Sequence, residues 1–391
     1  MAAKSLHPAR LAEIDTALAG FVAQGEIAGA AILVSHRGRE VHRTIIGLKD
    51  LASGEPPADD TIYRIYSMTK PVTAVAMMTL WDEGRWSPDD LIAAHLPEMA
   101  DLKGPGGAAL DHPPTMRELM SHMAGFGYGI GAGPHDAADK ALIANGVWEA
   151  DGLADFARRV AATPLAHQPG SAWRYSLSMD LQGAIIERLA DETLSDFMRR
   201  RIFEPLGMAD TGFCVEPDKL PRLASLYHKY GVPTLSVLDN PAWVRDPRFI
   251  SNVPSGGAGL YSTLDDYSRF ARMLLNRGEL EGHRIISPEA VALMTANHLP
   301  DFIVERGVDA GMQQIGPGRG YGFNGAVFFD PAAAGSPVGR GTYQWDGASG
   351  VWFWVDPESQ IAFVGMIQRM LQVGMPPFQA LTQSMVAAAF E

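Results

Sequence analysis

Cysteine is nearly absent: Cys214 stands alone among 391 residues. One thiol forms no internal disulfide and no thiolate metal cluster, so neither can staple this fold. Lysine is also scarce, with seven against twenty-five arginines. Basic residues are outnumbered 32 to 45 by acidic ones, a formal net charge of −13. Such a surface repels phosphate backbones and anionic lipid, which argues against nucleic acid and membranes as partners. No apolar run approaches the roughly 18 residues that cross a bilayer. The start, Met1-Ala2-Ala3-Lys4 followed by Arg10, Glu13 and Asp15, has no uncharged apolar core of a signal peptide. A cytoplasmic protein is the expectation. Two catalytic signatures are missing as well. No serine has glycine both two residues before and two after it, as a nucleophile elbow requires. None of the eleven histidines opens a His-Glu-x-x-His metal site.

What remains is an ordinary globular composition, 47% hydrophobic and 20% charged. The length suggests two or three lobes with a large core. The chain is organised around Tyr66-Ser67-Met68-Thr69-Lys70-Pro71, followed by an apolar run through Met78. Residues three apart share a helix face, so the Ser67 hydroxyl and the Lys70 amine can enter one cavity. Pro71 is tolerable in or just after a first turn. Val72, Val75, Ala76 and Thr79 continue at helical spacing, and Gly84 suits a stop. An ammonium beside apolar residues is expensive unless paired or neutralised, so Lys70 reads as chemical rather than decorative.

Around this stretch, residues 8–24 carry Leu11, Ile14, Leu18 and Val22 on one helical face. Residues 28–47 read as a hairpin turning at Arg37-Gly38. Thr115 and Glu118 have the capping-box spacing. Gly125, Gly127, Gly129, Gly131 and Gly133 read as a mobile loop, since their register never closes into a nucleotide fingerprint. Residues 181–190 and 264–275 predict amphipathic helices. Strands are expected at 343–345, 351–355 and 361–367, with a turn at Asp356-Pro357-Glu358-Ser359, and 377–390 closes as a helix. Strands at both ends with helices between predict an α/β fold: one sheet built from both termini, carrying an inserted helical lobe.

A serine nucleophile needs a proton acceptor. His122 reads as structural. Tyr175, just beyond the Pro169-Gly170 turn, is a packing tyrosine when taken alone. Beside an ammonium, its hydroxyl is expected to lose its proton more easily than the usual phenol. Trp345-Asp346-Gly347-Ala348 closes a strand, and a free backbone N–H there could hold an oxyanion. A strand end with a buried tryptophan is the plain alternative.

In order, these three stretches resemble serine β-lactamases and penicillin-binding proteins, whose signature includes S-x-x-K. The chain is more similar still to esterases with the class C β-lactamase fold, the family VIII carboxylesterases. Leu119–Gly125, Pro169–Ser178, Pro205-Leu206-Gly207-Met208, Gly256–Phe270 and Trp345–Pro357 extend the resemblance over nearly the whole chain. It implies a β-lactamase/transpeptidase-like fold, with an α/β domain of residues 1–65 and 256–391. Residues 66–255 would form a mainly helical domain, with the active site between the two. Ser67 would be the nucleophile, Lys70 and Tyr175 the proton-transfer pair, and the N–H groups of Ser67 and Ala348 the oxyanion hole. Trp345, Asp346, Gly347 and Tyr128 would meet substrate, with no metal or cofactor. The implied reaction is hydrolysis of a neutral, short-chain carboxylic ester through an acyl-Ser67 intermediate. The order of proton transfer between Lys70 and Tyr175 stays open.

Two departures bear on substrate. Trp345-Asp346-Gly347 replaces the K-T-G-like triplet whose cation helps hold a substrate carboxylate. If Asp346 faces the pocket it disfavours anions; if it faces away it is a strand-end carboxylate. Tyr175-Ser176-Leu177 replaces Y-x-N and lacks its amide. A β-lactamase or D-amino-acid-type peptidase, an acyltransferase and a non-catalytic binding protein are the alternatives.

Overall fold

A computed structural model describes residues 6–130, 136–239, 244–310 and 313–390. Met1–Lys4, Gly131 and Gly133 lie outside them. Helix α1 (Pro8–Ala23) buries Leu11, Ile14 and Leu18 on one face. Strands β1 (Gly29–His36) and β2 (Arg39–Gly47) form the hairpin. Arg37 and Gly38 turn it with φ of 52° and 77°, both left-handed, as suits a two-residue connection between twisted strands. Strand β3 (Ile62–Arg64) leads into helix α2 (Thr69–Asp82), and helix α3 (Ser178–Ala190) comes much later. Strand β4 (Tyr261–Thr263) returns to pair with β3 and starts helix α4 (Leu264–Leu275). Among the described residues between β3 and β4, most of the regular structure is helical.

Strands β5 (Arg319–Tyr321), β6 (Ala326–Phe328), β7 (Thr342–Asp346), β8 (Trp352–Asp356) and β9 (Ile361–Met366) precede helix α5 (Phe378–Ala388). The antiparallel sheet has seven strands in the order β5-β6-β7-β8-β9-β1-β2. Strands from the two ends of the chain therefore pair within it, with Ala31 opposite Met366. Strands β5 and β6 add to the expected set. At three residues each, they are too short for an alternating pattern to declare itself.

Alternation decides what each face of the sheet covers. Ile32, Val34, Trp354 and Phe363 join α1 and α5 in one apolar cluster. Ala31, Leu33, Phe353 and Val364 join Tyr267 and Phe270 of α4 in the other, which runs on into α2 and α3. Helix α2 is buried on every side from Thr69 to Leu80. It ends where the Gly84 N–H reaches the Trp81 carbonyl at 2.8 Å with Gly84 at φ 70°. The turn after β8 forms because Asp356 Oδ1 accepts the Glu358 and Ser359 N–H groups, each at 2.9 Å.

The capping box closes as read. Thr115 Oγ1 accepts the Glu118 N–H at 3.3 Å, and Glu118 Oε2 accepts the Thr115 N–H at 2.8 Å. Thr115→Ala is expected to destabilise the protein by about 1 kcal/mol, seen as a lower thermal midpoint, while Thr115→Ser retains the native value. Equal midpoints for alanine and threonine would refute the cap's contribution.

Candidate active site

Ser67 lies in the single tight turn Tyr66–Met68 between β3 and α2. Tyr66 turns the chain with φ of 41°, a left-handed conformation that a bulky residue adopts only when its surroundings impose it. Those surroundings are visible. The Tyr267 hydroxyl donates to the Met68 carbonyl at 2.8 Å, and the Leu260 N–H to Thr69 Oγ1 at 3.1 Å. Asn324 Nδ2 donates to the Lys70 carbonyl at 3.0 Å. The first residues of α2 are thus tied to α4 and to the loop before β6, and Ser67 stays half-buried at the helix entrance.

One turn on, Lys70 Nζ stands 3.2 Å from Ser67 Oγ and donates to the Gly257 carbonyl at 2.7 Å. It lies 3.4 Å from the Tyr128 hydroxyl and 4.5 Å above the centre of the Tyr175 ring. The Tyr175 hydroxyl donates to Ser67 Oγ at 2.8 Å. Four segments far apart in the chain, carrying Ser67 with Lys70, Tyr128, Tyr175 and Gly257, therefore meet around this hydroxyl and amine.

Burial takes water from the Lys70 ammonium and lowers its pKa to about 7, although Asp180 and Asp346 pull the other way. The expected lowering of the Tyr175 phenol is overturned. Burial pushes Tyr175 above its usual range, because desolvating a phenolate outweighs the hydrogen bond to Ser67. Burial likewise holds Tyr128 well above the ordinary phenol range. Near neutrality, then, the amine exchanges protons while both phenols keep theirs.

The end of β7 comes against the same turn. A side-chain carbon on Gly347 would stand 2.2 Å from the Ile65 carbonyl oxygen, so only glycine permits the approach. Ser349 Oγ donates to the Arg64 carbonyl at 2.6 Å. Ala348 is bracketed by these two contacts. Its carbonyl accepts the Leu371 N–H at 2.8 Å, whereas its own N–H has no partner among the described residues.

Trp345 and Asp346 point to opposite faces of β7. Trp345 is buried against Tyr175 and Tyr321, with ring centres 5.8 and 5.3 Å away. Asp346 does not join the Ser67 cluster. Its Oδ2 accepts from Gln313 Nε2 at 2.5 Å, and it borders a cavity of about 90 Å³ with Arg319, Gln344 and Gln379. Burial raises it to about 6, against the pull of Gln313, Arg319 and Lys70. Of the two orientations left open by the sequence, the side chain takes the one turned away from Trp345. It reaches Lys70 only through its field.

The glycine loop is held rather than loose over its described part. Tyr128 and Gly129 N–H groups both donate to Asp139 Oδ1, at 2.8 and 3.1 Å. A side-chain carbon on Gly125 would meet the His167 carbonyl oxygen at 2.4 Å. These close approaches explain the glycines and bring Tyr128 to Lys70.

Sequence reasoning missed Asp180, Gly257 and Asn324. Asp180 looks like any acidic residue in a helix's first turn, and only the packing of α3 on α2 turns it inward. His122, read as structural, has its Nδ1 bonded to Ser176 Oγ at 3.0 Å and its ring 4.8 Å from that of Tyr175.

The sheet, the helical segment and the serine–lysine–tyrosine cluster define a β-lactamase/transpeptidase-like fold with a serine-centred site. Residues 14–381 match the Beta-lactamase family, and the chain belongs to it. It is 36% identical over 360 residues to Protein Rv1367c of Mycobacterium tuberculosis, across 88% of this chain and 86% of that one. It is 32% identical over 379 residues to Esterase EstB of Burkholderia gladioli, across 90% and 89%. The solved structure of EstCE1, described as a hydrolase with promiscuous acyltransferase activity, superposes with a TM-score of 0.82 at 25% identity, covering 97% of this chain and 99% of that one.

Proposed function

We infer that the protein is a serine ester hydrolase of the family VIII carboxylesterase type, acting on neutral esters with short acyl chains. The observation that carries this reading is the Ser67 hydroxyl, with Lys70 Nζ at 3.2 Å and the Tyr175 hydroxyl at 2.8 Å. Neutral Lys70 takes the Ser67 proton as Oγ attacks the ester carbonyl. The N–H groups of Ser67 and Ala348 receive the oxyanion. Tyr175 protonates the departing alcohol and is recharged from Lys70. Water then attacks acyl-Ser67, Lys70 accepts its proton, and Ser67 regains a proton as the acid leaves. Trp345, Gly347 and Tyr128 line the substrate's path.

The same proposal divides the chain at 65/66 and 255/256, supported by the pairing of β3 with β4 where the helical segment leaves and returns. No helix among the described residues is long and apolar enough to cross a membrane. A cytoplasmic location completes the reading, in keeping with a lone cysteine.

Substrate charge is the discriminating variable. Trp345 stands where lactamases carry a cation, and Asp346 adds negative field nearby. A panel of nitrophenyl esters of rising acyl length, run beside a chromogenic cephalosporin, is expected to favour short neutral esters. A cephalosporin turned over faster than every ester would overturn the assignment. The description of EstCE1 supports a second activity: with alcohol added, part of the acyl group should appear as a new ester.

A further inference from the structure

Behind Lys70 lies a carboxylate with no part in the reaction just described. Asp180, on the first turn of α3, is completely buried. Its Oδ1 accepts from Ser255 Oγ at 2.6 Å and from the Gly257 N–H at 3.2 Å, while Oδ2 has no hydrogen-bond partner among the described residues. Gly257 joins it to the lysine. The N–H of this residue meets Asp180, and its carbonyl accepts Lys70 Nζ at 2.7 Å. A side-chain carbon at Gly257 would lie 3.0 Å from Asp180 Oδ2 and 3.3 Å from Lys70 Nζ, so any larger residue would crowd both groups at once. The preceding Gly256 is wedged between helices: its carbonyl accepts Thr73 Oγ1 of α2 at 2.7 Å, and a side chain there would strike the Met179 carbonyl of α3 at 2.5 Å.

We propose that Asp180 is a positioning residue: through the Gly257 backbone and across it, this buried carboxylate fixes where Lys70 stands and how firmly the amine holds a proton. The proposal rests on the role given to Lys70 above. A buried carboxylate with an unpaired oxygen is unfavourable for the fold, so its place beside a buried amine calls for such a use. Burial alone drives a lysine far down; a neighbouring negative charge returns it towards neutrality, where a base both accepts and gives back a proton. Lys70 touches the hydroxyls of Ser67 and Tyr128, the ring of Tyr175 and the Gly257 carbonyl, while His122, Asp180 and Asp346 are coupled to it through charge alone. Asp180 is the first of the two carboxylates opposing the effect of burial on the lysine. Asp180 in turn feels the charges of Lys70 and Arg245 and acts on the two phenols through its own. Burial pushes its own pKa up, against the pull of Ser255, Lys70, Gly257 and Arg245.

With only seven lysines, the titration of Lys70 can be read directly by NMR of isotopically lysine-labelled full-length protein, assigned with Lys70→Met. Asp180→Asn keeps the shape and removes the charge. Its Lys70 midpoint is expected to fall by roughly one pH unit or more, with Asp346→Asn giving a smaller fall. The acidic limb of kcat/KM on a nitrophenyl ester should move down with it. A Lys70 midpoint unchanged from native in folded Asp180→Asn overturns the proposal, because a merely structural role lowers activity at every pH without moving the limb. If that variant does not fold, Ser255→Ala carries the test. Without its shortest hydrogen bond the carboxylate holds charge less firmly, and the midpoint should fall by less; an unchanged midpoint again overturns it. Absence of ester turnover in the native protein would strike the hydrolase reading alone, since the NMR titration needs no substrate.

Discussion

Ser67→Ala is expected to lower kcat/KM for a short nitrophenyl ester by at least about 10⁴-fold, the scale seen when an acyl-enzyme nucleophile is lost. The argument is geometric. Ser67 Oγ is reached by both the amine and the phenol, at 3.2 and 2.8 Å. Alanine leaves that proton network without an attacking group. The surrounding anchors, from Tyr267 to Met68 and from Asn324 to Lys70, do not use the hydroxyl, so the fold should persist with an unchanged thermal midpoint. A fluorophosphonate should add its mass to native protein and not to the variant. Ester turnover surviving in folded Ser67→Ala within tenfold of native would end the proposed mechanism.

Lys70→Met should be nearly as damaging, by about 10³-fold, because it removes the general base while keeping the buried volume. Its effect on pH dependence is the sharper test. Lys70 has a pKa lowered to about 7 by burial, and the free amine is the active form. Native kcat/KM should therefore rise with pH through about 7 and level off above it. Tyr175, pushed up by burial, keeps its proton throughout this range. The residual rate of Lys70→Met should show no such limb. A native profile flat from acid to alkaline pH, or a limb retained by Lys70→Met, would remove Lys70 from the role of base. Methionine keeps the buried volume, so lost activity in a variant that still unfolds cooperatively would separate chemistry from collapse.

Much of this site was legible because its chemistry sits in short local patterns. Ser67 and Lys70 share a helix face by their spacing alone, and an apolar run behind them announced burial. The hairpin at Arg37-Gly38, the Thr115–Glu118 cap and the Asp356 turn were equally local, each set by backbone requirements within four residues. The short strands β5 and β6 were not legible, because three residues carry no period. The contacts that hold the described part of the glycine loop were not legible, because its partners, Asp139 and His167, lie outside it in sequence.

By itself the amino-acid sequence set a serine and a lysine one turn apart, the buried helix behind them and the sheet drawn from both chain ends. Tertiary structure decided everything that depends on distance between remote segments. It brought Tyr175 to Ser67, turned Asp346 away from Trp345, laid Gly347 on the Ile65 carbonyl and set Asp180 behind Gly257. The physical reason is the range of the forces. Helix spacing, caps and turns act within a few residues of chain. Desolvation and charge–charge coupling, which bring Lys70 to neutrality and hold Tyr175 protonated, exist only after distant residues have excluded water together.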